Sequence, residues 1–153
     1  MMDVEFFLPM IPPTITDQMH TIGRNQKTGK PYIYKTSELK AARSKLCAHL
    51  ARHTPAERMT GPVLLVVKWC FPIPATSKRR NGEYKTSKPD TDNLQKMLKD
   101  CMTETRFWGD DAQVVSEHVE KFWAATPGIY IHAMEIDPIA HVVQGDPAEG
   151  AGG

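Results

Sequence analysis

Lys88-Pro89-Asp90-Thr91-Asp92-Asn93-Leu94-Gln95-Lys96-Met97-Leu98-Lys99-Asp100-Cys101-Met102 is the stretch on which the fold turns. Leu94, Met97, Leu98, Cys101 and Met102 recur at i, i+3, i+4, i+7 and i+8, a single apolar stripe along a helix. Asn93, Lys96, Lys99 and Asp100 cover the remaining surface. Such a stripe must be buried against something, and the flanking segments supply a sheet. Upstream, Val63 to Phe71 is nearly continuously apolar, as a strand covered on both faces would be. Downstream, Val114 to Phe122 and Ile129 to Ile136 read as two strands joined near Thr126-Pro127-Gly128.

Further out, Val4 to Met10 is a short apolar run ended by Pro12-Pro13, suited to a first strand. Residues 12 to 35 form a long Pro-, Gly- and Lys-containing loop with a small hairpin around Lys27-Thr28-Gly29-Lys30. Thr36 or Ser37 caps a helix in which Leu39, Ala42, Leu46 and Leu50 recur at helical spacing. The order β-α-β-α-β-β predicts an α/β (α+β) fold: one compact domain, a mixed β-sheet and two helices packed on it. That domain is expected over residues 1–137, with residues 138–153 as a flexible tail that lacks periodicity.

A chain of 153 residues suffices for one core and is short for two. Hydrophobic residues at 41% and charged residues at 24% are ordinary for a soluble protein, and no run approaches a membrane span. The first residues lack the basic start and apolar core of a secretory signal. Cys47, Cys70 and Cys101, odd in number and in apolar segments, read as buried thiols of a cytoplasmic protein. Net charge is only +1, but its distribution is uneven. Arg24, Lys27 and Lys30 lie in a stretch without acids, and Lys78, Arg79, Arg80, Lys85 and Lys88 share eleven residues with one acid, Glu83. Two such loops either attract phosphate or simply keep long loops solvated.

Asp90 and Asp92 stand two apart before the helix, where extended chain points both the same way, with Asp92 at the N-cap. Side-by-side carboxylates repel unless a cation separates them, and oxygen-only ligands suit Mg²⁺ or Mn²⁺ rather than zinc. The plainer reading is a helix cap beside a solvated acid. A second acidic pair follows in Phe107-Trp108-Gly109-Asp110-Asp111-Ala112-Gln113-Val114-Val115, itself open to reading as a turn. Lys96, one turn after Asp92, either faces the same site or pairs with Asp100.

Together, Asp90-x-Asp92-Asn93-Leu94-x-Lys96 and Phe107-Trp108-x-Asp110-Asp111-Ala112-Gln113-Val114-Val115 resemble the RusA family of Holliday-junction resolvases, small dimeric endonucleases of bacteria and phages. The likeness is strong from Lys88 to Lys121 and extends more weakly to Pro12-Pro13 and to Ser37–Leu50. It implies catalytic acids at Asp90, Asp92 and Asp111, a catalytic lysine at Lys96, Mg²⁺ or Mn²⁺ as cofactor and a four-way DNA junction as substrate. The chain departs from shorter family members in its C-terminal tail and its longer loop from Ile73 to Pro89. Two rivals stand beside that expectation: a DNA-binding or regulatory protein that has lost cleavage, and a nuclease for flaps or other branched DNA.

Other signals fail on inspection. Asp90-Thr91-Asp92-Asn93 is no calcium loop, because Leu94 stands at a ligand position and Gln95 where the turn glycine belongs. His49 and His53, four apart on a helix, have no Glu between them to act as a base. Chain geometry bears on subunit arrangement. A helix from Asp92 to Arg106 would run about 21 Å, whereas Phe107 to Asp111 returns at most roughly 14 Å. Asp111 therefore reaches its own Asp92 only if the helix ends early or bends. Otherwise a partner in a two-fold homodimer, the symmetry of a junction cut twice, supplies it; the shortfall favours the shared site.

Overall fold

A computed structural model describes residues 1–16, 20–24 and 31–139. The elements are β1 (Asp3–Leu8), β2 (His20–Arg24), β3 (Pro31–Lys35), α1 (Ser37–Ala51), β4 (Val63–Pro72), α2 (Thr91–Glu104), β5 (Val114–Ala124) and β6 (Gly128–Glu135), with a 3₁₀ turn at Asp111–Gln113. β2 and β3 pair antiparallel from His20↔Lys35 to Arg24↔Pro31, the hairpin expected within the long loop. Its tip, with Lys27 and Lys30, lies outside the described residues, as do residues 140–153 of the expected tail.

The main sheet has the order β1-β6-β4-β5. β6 runs antiparallel to both β1 and β4, and β5 runs parallel to β4. A parallel pair cannot be joined by a tight turn, so the chain must cross over between β4 and β5, and α2 is that crossover. The mixed sheet with two helices is therefore as the sequence patterning predicts.

β4 corrects one expectation. Its residues alternate between buried and half-buried rather than being covered on both faces. Val63, Leu65, Val67, Trp69 and Phe71 join the core, while Leu64, Val66, Lys68 and Cys70 occupy the other face. Ile129, Ile131 and Ala133 of β6 add to the same core side, and Leu39, Leu46 and Leu50 of α1 with Leu94, Met97, Leu98, Cys101 and Met102 of α2 cover it. Thr36 is the cap of α1, its hydroxyl accepting from the Leu39 N–H at 3.2 Å. Of the cysteines only Cys101 is fully buried; Cys47 and Cys70 are half-buried, and all three are free thiols. Among the described residues no helix is long and apolar enough to cross a membrane.

α2 ends two residues sooner than Arg106. The Arg106 N–H donates to the Thr103 carbonyl at 3.1 Å and the Phe107 N–H to the Met102 carbonyl at 3.0 Å. Arg106 has φ 70°, so this is a left-handed helix stop in which arginine stands where glycine is usual. Phe107, wholly buried, anchors the reversal.

Two substitutions should move stability in opposite directions. Arg106→Gly relieves a left-handed backbone in an exposed side chain and is expected to stabilise by about 0.5–1 kcal/mol. Gly128→Ala places a methyl against the Phe7 ring and 2.6 Å from the Leu8 carbonyl, and is expected to destabilise by about 1–3 kcal/mol. Urea unfolding of the two variants checks both signs.

Candidate active site

The apolar stripe of α2 fixes which side of that helix faces away from the core. Thr91, Asp92, Lys96, Lys99 and Asp100 follow one another along its other side and line an open cleft of about 380 Å³. The far wall comes from Asp111 in the 3₁₀ turn and from Glu117 and Val119 of β5. Four carboxylates thus face two ammonium groups, leaving a net charge of −2.

A buried relay holds the helix in this orientation. Gln95, on α2 and 4% exposed, accepts the Trp69 indole N–H at 2.8 Å. Its own amide donates to Glu117 at 3.0 Å, and Lys99 donates to the other Glu117 oxygen at 2.6 Å. Both ends of a buried amide are therefore satisfied, one in the core and one at the cleft. Asp110 caps the 3₁₀ turn by accepting from the Ala112 N–H at 2.8 Å, and Gln113 folds back to the Gly109 N–H at 2.9 Å and the Asp110 N–H at 3.1 Å. These bonds direct Asp111 outward. Desolvation, a hydrogen bond with Asp110 and the negative charge of Asp100 and Asp110 push the pKa of the Asp111 carboxyl up.

The structure gathers the sequence-predicted residues unevenly. Asp92, Asp111 and Lys96 line one cleft of one chain, so Asp111 does not need a partner subunit to reach it. The early helix stop makes this possible. The acidic charge felt most by Asp111 nonetheless comes from Asp100 and Asp110, not Asp92, and Asp100 lies two helical turns, about 12 Å, along the axis from Asp92. The two predicted acids flank the cleft rather than touch. Asp90, not Asp92, is the N-cap residue (φ −75°, ψ 149°), and its side chain makes no capping bond. Asp92 lies inside the first turn, so the two do not share an extended segment. Asp90 stands just before Thr91, which lines the cleft. Lys96 makes no ion pair with Asp100, whose nearest cation is Arg43 at 3.7 Å.

The basic residues also divide. Lys78, Arg80 and Lys88 are exposed. Arg79 pairs with Glu83 at 3.7 Å and lies 4.9 Å from the Trp123 ring centre. Lys85 must be withdrawn from the phosphate-facing set: it is only 7% exposed and donates to Ser87 Oγ at 2.7 Å and to the Lys88 carbonyl. Burial, with Lys121 and Arg79 nearby, lowers its pKa. The side chain of Arg24, and all of Lys27 and Lys30, lie outside the described residues. Tyr84 stacks on Phe122 at 5.0 Å and donates to Glu120 at 2.7 Å, leaving it an ordinary loop tyrosine.

Gln95, Lys99 and Glu117 line the cleft without having been marked by the sequence as site residues. Gln95 and Lys99 carried a readable signal, since they fall three and seven residues after Asp92 on one helical face. Glu117 carried none.

No three carboxylate or imidazole groups among the described residues form a ready cage for an ion. The donor set fits a hard divalent cation all the same: it is oxygen only, it is concentrated in one cleft, and its excess charge is −2. In the absence of metal, ionised Asp111 costs stability. A raised folded-state pKa contributes stability that is present below the unfolded pKa and lost as pH rises through the folded one. Metal-free Asp111→Asn should therefore melt above wild type at pH 7, and the difference should close as pH falls through the carboxylate range. Thermal melts in chelator from pH 3 to pH 8, as a rough span, check the sign.

Comparison with known proteins gives the family of the chain. The family described as Endodeoxyribonuclease RusA matches residues 12–134. The chain is similar to a crossover junction endodeoxyribonuclease rusA of Lactococcus phage r1t, 40% identical over 70 residues. That match covers 46% of this chain and 53% of the phage protein, so the chain spans about half the length of that relative. It is also similar to the uncharacterized protein YqaN of Bacillus subtilis (strain 168), 29% identical over 119 residues, 72% of this chain and 83% of that one. With the family's pattern running from the segment after β1 to the end of β6, the chain belongs to the RusA endodeoxyribonuclease family.

Proposed function

We propose that this protein is a metal-dependent endodeoxyribonuclease that resolves four-way DNA (Holliday) junctions in recombination and repair by paired, symmetric phosphodiester hydrolysis. The observation that carries the reading is the cleft that Asp92, Lys96 and Asp111 line in a chain of the RusA family. The name of the phage relative, a crossover junction endodeoxyribonuclease, supports the junction as substrate. The activity is assigned to residues 1–137, acting in the cytoplasm.

In this reading Asp90, Asp92 and Asp111 hold Mg²⁺, with Mn²⁺ able to substitute. When bound, the ion supplies Lewis-acid activation of water and neutralises charge at phosphorus. The protein's own part is electrostatic and positional. A phosphodiester is anionic and gains negative charge at the transition state, so a fixed cation beside it lowers the barrier. Lys96, exposed and unpaired among the described residues, is the group for that role. Lys99, tied to Glu117, is held instead as part of the cleft wall. Arg24, Lys27, Lys30, Lys78, Arg79, Arg80 and Lys88 are the groups that contact phosphate outside the cleft. Two copies form a homodimer whose two-fold axis matches that of the junction, each with a complete site.

Incubation of purified protein with labelled four-way junction, with and without Mg²⁺, tests the assignment. Paired nicks at symmetric positions are expected only with metal. Tight binding without nicking would mark a regulatory protein, and cleavage confined to flaps would mark a nuclease for other branched DNA.

Asp90→Asn, Asp92→Asn and Asp111→Asn should each lower nicking by more than about a hundredfold while junction binding persists, since each removes a ligand charge and keeps the shape. Lys96→Ala should slow nicking by roughly 10²–10³-fold with unchanged Mn²⁺ affinity; a wild-type rate would remove it from the mechanism. Replacing both Lys78 and Arg80 by Ala should flatten the dependence of log Kd on log salt by about two counterions. An unchanged slope would mean that this loop does not touch phosphate.

A further inference from the structure

The loop before Asp90 is docked on the sheet. Residues 82–85 run along the edge of β5 that β4 leaves free: the Gly82 N–H donates to the Trp123 carbonyl at 2.8 Å, the Trp123 N–H to Glu83 at 2.8 Å and the Lys85 N–H to Lys121 at 3.0 Å. This pairing brings two lysines to the same turn of chain. The Lys121 ammonium donates to the Ser87 carbonyl at 2.8 Å and the Pro89 carbonyl at 2.7 Å. The buried Lys85 ammonium donates to the Ser87 carbonyl at 3.3 Å, to Ser87 Oγ and to the Lys88 carbonyl. It lies 5.2 Å from the Phe71 ring centre and 4.8 Å from that of Trp123. The Asp90 carbonyl accepts the Leu94 N–H at 3.1 Å. Four successive carbonyls, from Ser87 to Asp90, are therefore fixed, three of them by two cations.

We propose that Lys85 and Lys121 are positioning residues of the active site: a two-ammonium clamp on the 87–89 backbone that sets where Asp90 enters the α2 N-terminus. The proposal rests on the reading of Asp90 as a metal-site acid. A loop that needed only to be closed could leave these carbonyls to water. Burying an ammonium is costly unless its donors are used, and here they converge on backbone atoms. The aromatic faces of Phe71 and Trp123 offset part of that cost. The clamp acts at one place, the three residues that precede the first acid. No charged side chain of the cleft touches either ammonium, so the effect passes through the backbone.

The test uses the full chain and two readouts. In metal-free protein, Lys121→Met should speed amide hydrogen exchange across residues 86–93 by about tenfold or more, as local opening becomes easier, while exchange in β4 and β6 stays as in wild type. In calorimetry with Mn²⁺ as the probe, the same variant should lose about tenfold in affinity, the size expected for a supporting residue. Lys121→Arg, which keeps a double donor, should recover most of both. In an Asp90→Asn background Lys121→Met should cause no further loss of Mn²⁺ affinity, because the clamp works through Asp90. Lys85→Met should behave like Lys121→Met; if it fails to fold, the half-buried Lys121 carries the test. Unchanged exchange with normal Mn²⁺ binding would overturn the clamp, and so would an equal loss of affinity with or without Asp90. A wild-type protein that binds no Mn²⁺, with exchange responding as described, would overturn the metal reading and not the clamp.

Discussion

The arrangement depends on how one buried amide is satisfied. Gln95 sits on α2 among the apolar residues that face the sheet, where an unpaired amide would cost about 1–3 kcal/mol. Its oxygen accepts from Trp69 on β4 and its nitrogen donates to Glu117 on β5. The apolar stripe alone would tolerate rotation of α2 by some tens of degrees, since hydrophobic contact has no direction. Two hydrogen bonds to two different strands do not. They fix the phase of the helix, and with it the line of Asp92, Lys96, Lys99 and Asp100 along the cleft. The pairing of β4 with β5 sets Glu117 beside Leu65 and Lys121 beside Trp69, so Gln95 bridges two neighbouring strands.

Much of this was legible in the sequence, for reasons that differ by element. α1, α2 and the strands announce themselves through local period, and β4 failed only in how many of its faces are covered. Its outward residues, Leu64 and Val66, are as apolar as its inward ones, so pattern could not tell a half-buried face from a buried one. The start of α2 was misplaced by two residues because Asp90 and Asp92 are both good caps, and only the backbone shows that Asp90 is extended and Thr91 helical. The end of α2 was unreadable for the opposite reason. The left-handed stop carries arginine instead of the glycine that would have signalled it.

The site was legible where function leaves a short motif and illegible where it depends on distant pairing. Asp92, Lys96 and Asp111 stand out in two short motifs, and they do share a cleft. Lys85 was assigned to the phosphate surface because it lies among exposed cations, yet the docking of residues 82–85 on β5 turns it inward. Lys121 sits in a run read only as strand, so nothing local marked it. Both errors come from one non-local event, the addition of a loop to a sheet edge, which leaves no trace in spacing.

That event also shapes the chemistry available. A free edge on β5 beside a cleft of net charge −2 would be a poor approach for an anionic polymer. The docked loop covers part of the edge and carries Lys78, Arg80 and Lys88 outward on the chain that leads into Asp90. Cations at the approach and carboxylates at the centre divide the electrostatic work. In the reading proposed above, the first attract the DNA backbone over a distance set by salt, roughly 8–10 Å under ordinary conditions. In the same reading the second repel it until a divalent ion restores balance. A cleft built this way is poorly disposed to phosphate without metal and well disposed to it with metal, so the acids that would weaken simple DNA binding become intelligible as part of a site for cutting it.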